Sequence, residues 1–307
     1  MALMKAKQKD GWMAVVLAGS RLDFAHIRQT RDGRPEVTLL ESFERGSSDV
    51  DALKRVSAKL HLNQYRCTTL LNEGEYQLLQ TDPPAVGAEE MKEALRWKIK
   101  DMVDFPVEAA SVDVLPIPTE GAVGRAAQVF AVVAKNEVLI PRVQLFQEAK
   151  AGLEAIDIPE LAQRNIAALF EEENRGLAML ALDNGGGLLT FTFRGELYVV
   201  RHSDVTLEQL QRSEGERREQ LFEKLALDVQ RSMDNFDRMN SHITLTRLLV
   251  SPVPGVSGFM DYLRQYVYIP VEELDLAKVL DFPSIPELKQ PERQAQCLRV
   301  IGAALRD

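Results

Sequence analysis

Cysteine is scarce in this chain: Cys67 and Cys297 are the only two in 307 residues, far apart and without metal-ligand spacing. A disulfide framework and a cysteine-held zinc site are therefore excluded, and a reducing, cytoplasmic setting is expected. Histidine is nearly as rare. His26, His61, His202 and His242 are scattered, so no catalytic or metal-binding cluster is legible and neither a catalytic residue nor a metal site is assigned. Positive charge is in deficit, with 37 Lys and Arg against 46 Asp and Glu and a formal net charge of -9. Nucleic acid is excluded as a main partner, because phosphate contacts dominate such binding. No apolar run approaches the roughly 20 residues that span a bilayer, and the basic start MALMKAKQKDGW lacks the apolar centre of a secretion signal. A soluble protein is expected, one that could still dock on a membrane protein.

What is present is ordinary for a globular protein, 45% hydrophobic and 27% charged, and the length suggests about two domains. The organising stretch is Gly176 to Val200. Leu177 to Leu182 is a short apolar run fit for a buried strand, and Asp183-Asn184-Gly185-Gly186-Gly187 breaks it. Leu188 to Phe193 and Glu196 to Val200 resume as strands around an Arg194-Gly195 turn. Three glycines permit positive φ and let another group approach the backbone. A carboxylate at a strand end followed by a glycine turn is how actin-like ATPases hold phosphates and Mg²⁺. The same pattern is also produced by a glycine-rich hairpin with a solvated aspartate.

The first half begins in the same way. Strands are expected at Trp12 to Leu17, Leu22 to Arg28 and Glu36 to Phe43, with turns at Ala18-Gly19-Ser20 and at Arg31 to Arg34. A helix follows over Asp49 to Leu60, with Val50, Leu53, Val56 and Leu60 on one face, and then short strands at Cys67 to Leu71 and Tyr76 to Gln80. After Asp82-Pro83-Pro84 a helix is expected from Ala88 to about Val103, burying Met91, Leu95, Ile99 and Met102. Trp97 lies off that stripe, beside Arg96 and Lys100. It either packs on a neighbouring strand or anchors a partner. Strands Ser111 to Ile117 and Gln128 to Ala134, around a polar loop Thr119 to Arg125, and a helix Leu139 to Glu154 complete an inserted α+β unit over residues 86–153. In the second half, Phe222, Leu225, Val229, Met233 and Phe236 mark a long amphipathic helix within a helical subdomain over about 205–240. Leu245 to Val250 and Val271 to Leu274 are strands, Phe259 to Tyr266 is a helix, and Pro291 opens a last helix with Ala295, Leu298, Ile301 and Leu305 as its apolar face.

Two halves that each start with a strand–turn–strand meander, together with LRWKIKDMVDFPVEAASVDVLPIP (95–118) and LALDVQRSMDNFDR (225–238), resemble one family: the cytoplasmic pilus-assembly proteins of the PilM type, and within it the branch serving the mannose-sensitive hemagglutinin (MSHA) pilus. The resemblance covers nearly the whole chain. It implies an α/β fold of the actin-like, FtsA-like kind, with one lobe over 1–175 carrying the insert and a second over 176–307. It implies a scaffold seated on the cytoplasmic face of the inner membrane, bound to the N-terminal tail of a PilN-like bitopic membrane protein (MshJ-type). The tail would lie between the first lobe and the insert, where Arg96, Trp97 and Lys100 are the candidate contacts. Other pilus-assembly proteins, and a second copy of the chain, are further partners it suggests.

The family's nucleotide-binding loops are only partly matched. Gly19 and Ser20 stand in its first phosphate loop, but its aspartate position is Leu17 and no lysine follows. Leucine offers no oxygen to a hard cation. Asp183, Gly185, Gly186 and Gly187 keep the second loop. The third is shortened to Ser251-Pro252-Val253-Pro254-Gly255, whose two prolines supply no N–H. The expectation is a degenerate cleft, no required cofactor beyond weak ATP–Mg²⁺ binding, and no hydrolysis. The alternatives are an ATPase acting through Asp183 and a scaffold of a type II secretion system.

Overall fold

The computed structural model describes residues 8–30, 33–119 and 126–306. Arg31 and Asp32 of the expected turn, all of the 119–125 loop but Thr119, and the first seven residues lie outside the described residues. In chain order the first half comprises β1 (Trp12–Ala18), β2 (Arg21–Arg28), β3 (Glu36–Glu44), α1 (Asp49–Leu60), β4 (Arg66–Leu70), β5 (Tyr76–Thr81), α2 (Met91–Lys98), β6 (Ala110–Ile117), β7 (Gln128–Lys135), α3 (Asn136–Glu148), β8 (Leu153–Asp157) and α4 (Pro159–Phe170). The second comprises β9 (Gly176–Asp183), β10 (Gly186–Phe193), β11 (Glu196–Ser203), α5 (Leu207–Arg212), α6 (Gly215–Met239), β12 (Leu245–Val250), α7 (Phe259–Tyr266), β13 (Val271–Glu273) and α8 (Pro291–Ala304).

The two halves repeat one design. Each has a five-stranded sheet, in the orders β3-β2-β1-β4-β8 and β11-β10-β9-β12-β13. In both, an antiparallel three-strand meander is followed by two parallel strands. Local chemistry explains the boundaries. Ser48 Oγ accepts the Asp51 N–H to cap α1, and His61 stops it in the left-handed region at φ 56°. Proline pre-sets the first turns of α4 and α8.

Between the sheets lies a shared apolar core. It joins Ala14 and Val16 of β1, Ala162 and Ile166 of α4, Met179 of β9, Leu249 of β12, and Cys297, Val300 and Ile301 of α8. The two helices therefore form the layer on which both sheets rest. Outer cores flank it. Leu53, Val56, Leu145 and Phe146 pack α1 and α3 on the first sheet. Phe222, Leu225, Val229, Met233 and Phe236 pack α6 on the second, as the stripe predicts.

Three assignments differ from the sequence reading. β5, which the sequence reading leaves outside the inserted unit of 86–153, pairs with β7 in a separate three-stranded sheet, β5-β7-β6. A strand's partner is a tertiary choice that its own alternation cannot specify. The helix expected over 139–154 starts at Asn136 and stops at Glu148, because Lys150 turns left-handed (φ 54°) and Ala151 N–H bonds back to Phe146 O at 2.9 Å. It packs on the first lobe's core through Leu145 and Phe146. The helix expected over 88–103 is shorter, Met91–Lys98, followed by a 3₁₀ turn Lys100–Met102. Leu95 and Ile99 are buried, but the tighter winding rotates Met102 off the stripe and leaves it 46% exposed.

The small sheet has α2 on one face, through Leu95, Ile99, Val112, Ala131 and Val133. Its other face leans on the second lobe, where Ile117 and Phe130 enter the α6 core.

Candidate functional site

Asp183 ends β9, and the chain reverses through Asn184 and Gly185 into β10. Its Oδ1 accepts the Gly185 N–H at 2.7 Å, closing an Asx-type turn. Gly186 has φ +138°, and a Cβ there would sit 2.4 Å from Ser203 O on β11. Only glycine lets β10 and β11 meet so closely. At Gly187 the backbone is not left-handed, and a Cβ would meet side chains at 3.1 and 3.2 Å.

Charged groups converge on this turn from two other segments, α8 and the β4–β5 connection. Arg299 of α8 forms an ion pair with Asp183 through Nη2 and Oδ2. A Cβ built on Gly185 would lie 2.9 Å from Glu73 Oε2, 3.2 Å from Asp183 Oδ1 and 3.6 Å from Arg299 Nη2, so all three charges face one point. Beside them, fully buried Glu160 of α4 accepts the Tyr76 hydroxyl at 2.8 and 2.7 Å and faces His202 Nε2 at 3.0 Å. The hydrogen bond to Glu160 holds the His202 pKa above its ordinary value, with burial opposing it. Burial and the adjacent Glu160 charge push the Tyr76 phenol far up, so it stays protonated and donates.

Two voids remain between these side chains, of about 30 and 20 Å³. The first is lined by Asp183, Leu188, Gln163 and Arg299, the second by Glu73, Tyr76, Gly185, Gly186, Gly187 and His202. Small-molecule sites typically measure roughly 300–1,000 Å³.

The structure thus brings Asp183, Gly185, Gly186 and Gly187 together, but leaves Gly19 and Ser20 outside both voids. Those two form the exposed β1–β2 turn, where Arg45 binds Gly19 O through Nη1 (2.6 Å) and Ser20 O through its N–H (2.9 Å). Leu17 is buried in the core under α1 and α3. The Ser251 loop is stitched to its own lobe: Ser251 N–H donates to Leu180 O at 2.8 Å, and Gln211 Nε2 donates to Pro254 O at 2.8 Å. Among the described residues no group of three or more His, Cys, Asp or Glu side chains could hold a metal ion.

Glu73, Tyr76, Glu160, His202 and Arg299 carry no sequence signal as a set. Each is a lone charge or aromatic in an ordinary element, and only the cross-lobe packing assembles them.

The second candidate surface is the outer face of α2. Trp97 is 52% exposed, and its Nε1 donates to Glu93 Oε1 at 3.1 Å. Arg96 pairs with the same carboxylate at 2.9 Å, and Lys100 Nζ stands 6.0 Å from the indole centroid. The indole is held by its neighbours with much of its surface free. No helix among the described residues is long and apolar enough to cross a membrane.

No family model and no curated protein matches the sequence. Solved structures do match the fold. One, the PilM–PilN type IV pilus biogenesis complex, superposes with a TM-score of 0.74 at 18% identity, covering 96% of this chain and 98% of that one. A Bacteroides thetaiotaomicron protein with an actin-like ATPase fold gives 0.51 at 12% identity, covering 97% and 99%. The cytoplasmic domain of EpsL, an inner-membrane component of the Vibrio cholerae type II secretion system, gives 0.50 at 14% identity, covering 97% and 96%. With the duplicated sheets and the helical layer between them, the chain has the actin-like ATPase fold.

Proposed function

We propose that this protein is a non-catalytic scaffold in the inner-membrane assembly platform of a type IV-like pilus, of the MshI kind within the PilM group. It binds the cytoplasmic N-terminal tail of a PilN-like, MshJ-type membrane protein and is held at the inner membrane by that contact. The observation that carries the reading is Trp97: an indole half exposed, steadied by Glu93 and flanked by Arg96 and Lys100, on the unit the resemblance associates with the tail. Aromatic and arginine side chains carry most of the binding energy in such contacts, and an extended tail can add backbone bonds at a sheet edge. The likeness to the PilM–PilN complex over nearly the full length supports the choice of partner class.

The cleft supports the non-catalytic half of the proposal. Phosphoryl transfer needs positioned metal and phosphate contacts. Here Leu17 offers no oxygen, Arg299 already holds Asp183, and voids of about 30 and 20 Å³ do not fit a nucleotide.

The test is a titration of wild type and Trp97→Ala with the tail peptide. Wild type binds, and the variant binds at least about tenfold more weakly while its melting temperature stays within about 1 °C of wild type. Unaltered affinity, or a large fall in melting temperature, contradicts the anchor role.

A further inference from the structure

The residues of the cleft misfit a nucleotide in a chemically specific way. We propose that the Arg299 guanidinium is the resident cation of this cleft, neutralising Asp183 and Glu73 in the role a divalent metal would otherwise fill, so that the lobes are tied across the cleft by the protein's own charges. The proposal builds on the reading of the cleft as non-catalytic and is independent of the identity of the pilus partner.

Position is the first support. Asp183 Oδ2 is ion-paired to Arg299, and the Glu73 carboxylate, Asp183 Oδ1 and Arg299 Nη2 all lie within 3.6 Å of one point on the glycine turn. The two carboxylates come from different lobes, Asp183 from the end of β9 and Glu73 from the β4–β5 connection. Without a cation between them they would repel, and oxygen donors so placed are what Mg²⁺ and Ca²⁺ seek.

Rooting is the second. Arg299 belongs to α8, whose Cys297, Val300 and Ile301 are buried in the core between the sheets. One turn on, Gly302 lies so close to α4 that a Cβ would fall 2.2 Å from Ala162 O, and Asn165 Nδ2 bonds Gly302 O at 3.0 Å. The helix that presents Arg299 is therefore fixed against α4, and the guanidinium reaches Asp183 from a rigid base. A planar, permanently charged guanidinium suits a carboxylate better than a mobile ammonium.

Direction is the third. α8 packs on β1 and β2, so the pair joins a helix seated on the first sheet to a turn of the second. The Glu160–His202 contact lies on the second-sheet side, since α4 packs on β9, β10 and β11, and it leaves Arg299–Asp183 as the charge pair that crosses the gap. A chain whose cleft is closed by this tie needs no ligand to close it.

Thermal melting of wild type, Arg299→Ala and Arg299→Lys, each alone, with millimolar Mg²⁺ and with Mg²⁺–ATP, tests this. Wild type and Arg299→Lys are expected to show no shift with either addition. Arg299→Ala should melt a few degrees lower, and Mg²⁺ alone should recover part of that loss. The proposal is overturned if Arg299→Ala melts with wild type, if its loss does not respond to Mg²⁺, or if Mg²⁺–ATP stabilises wild type. Should Arg299→Ala fail to fold, Asp183→Asn and the Asp183→Asn/Arg299→Gln double variant decide: equal melting temperatures support the pair, and additive losses refute it. Tail binding is not read in this experiment, so its failure leaves the partner assignment separately testable.

Discussion

Gly186 shows how one residue sets the cleft's geometry. Its φ is +138°, and a Cβ added there would approach Ser203 O to 2.4 Å, so backbone strain combines with a backbone clash that no side-chain rotation relieves. Gly186→Ala should therefore cost about 2–4 kcal/mol in urea unfolding. Gly187→Ala meets only side chains and should cost about 1 kcal/mol or less. Equal losses would mean that φ is not the deciding feature. His202 makes the second prediction at this scale. Because Glu160 raises its pKa in the folded state, protonated His202 is favoured by folding. Its stabilisation is complete below the ordinary histidine value near 6.5 and is lost as pH climbs through the raised folded value. The melting-temperature gap between wild type and His202→Gln should thus be largest below the ordinary histidine value near 6.5 and close as pH climbs past the raised folded value. Glu73, Arg299 and Tyr76 face the same group and are common to both proteins, so the difference isolates His202. With that side chain 47% exposed, solvent screening keeps the effect to no more than about 1 kcal/mol. A gap that widens with rising pH would reverse the assignment. At this scale the sequence shows Asp183 and the glycine turn because both are local. Arg299 and Glu160 are invisible, since a charge in a helix looks solvated until its neighbours from elsewhere are known.

Among the elements, the stripes of α1 and α6 are legible because burial on one face imposes its own period, and Leu53, Val56 and the five α6 residues are all buried. What fails is partnership and termination. β5 alternates as any strand does, and its pairing with β7 is decided by tertiary contacts. The early end of α2 depends on a local 3₁₀ turn, and with it goes the burial of Met102. The α4–α8 crossing is the element-scale feature the sequence conceals most fully, for Gly302 sits inside an ordinary helical pattern. Since a Cβ there would fall 2.2 Å from Ala162 O, Gly302→Ala should wedge the two helices apart and cost about 1–3 kcal/mol. Chemical unfolding monitored by circular dichroism checks it; an unchanged midpoint would show that the crossing is not close-packed.

For the molecule as a whole, the duplicated meander is legible because it repeats in order along the chain. The central layer is not, because α4 and α8 lie far apart in sequence and meet only through the core between the sheets. Arg299, reaching from α8 on the first sheet to Asp183 on the second, ties the two sheets at the cleft, while the exposed indole stands on α2, outside the residues that line the cleft voids. Partner binding should therefore be independent of nucleotide. The most direct measurement is a calorimetric titration of the purified protein with the cytoplasmic tail peptide of a PilN-like membrane protein, run without nucleotide and again with Mg²⁺–ATP. One saturable site of equal affinity is expected in both runs. No binding, or binding that emerges only with Mg²⁺–ATP, would contradict a scaffold whose cleft is closed by its own charges.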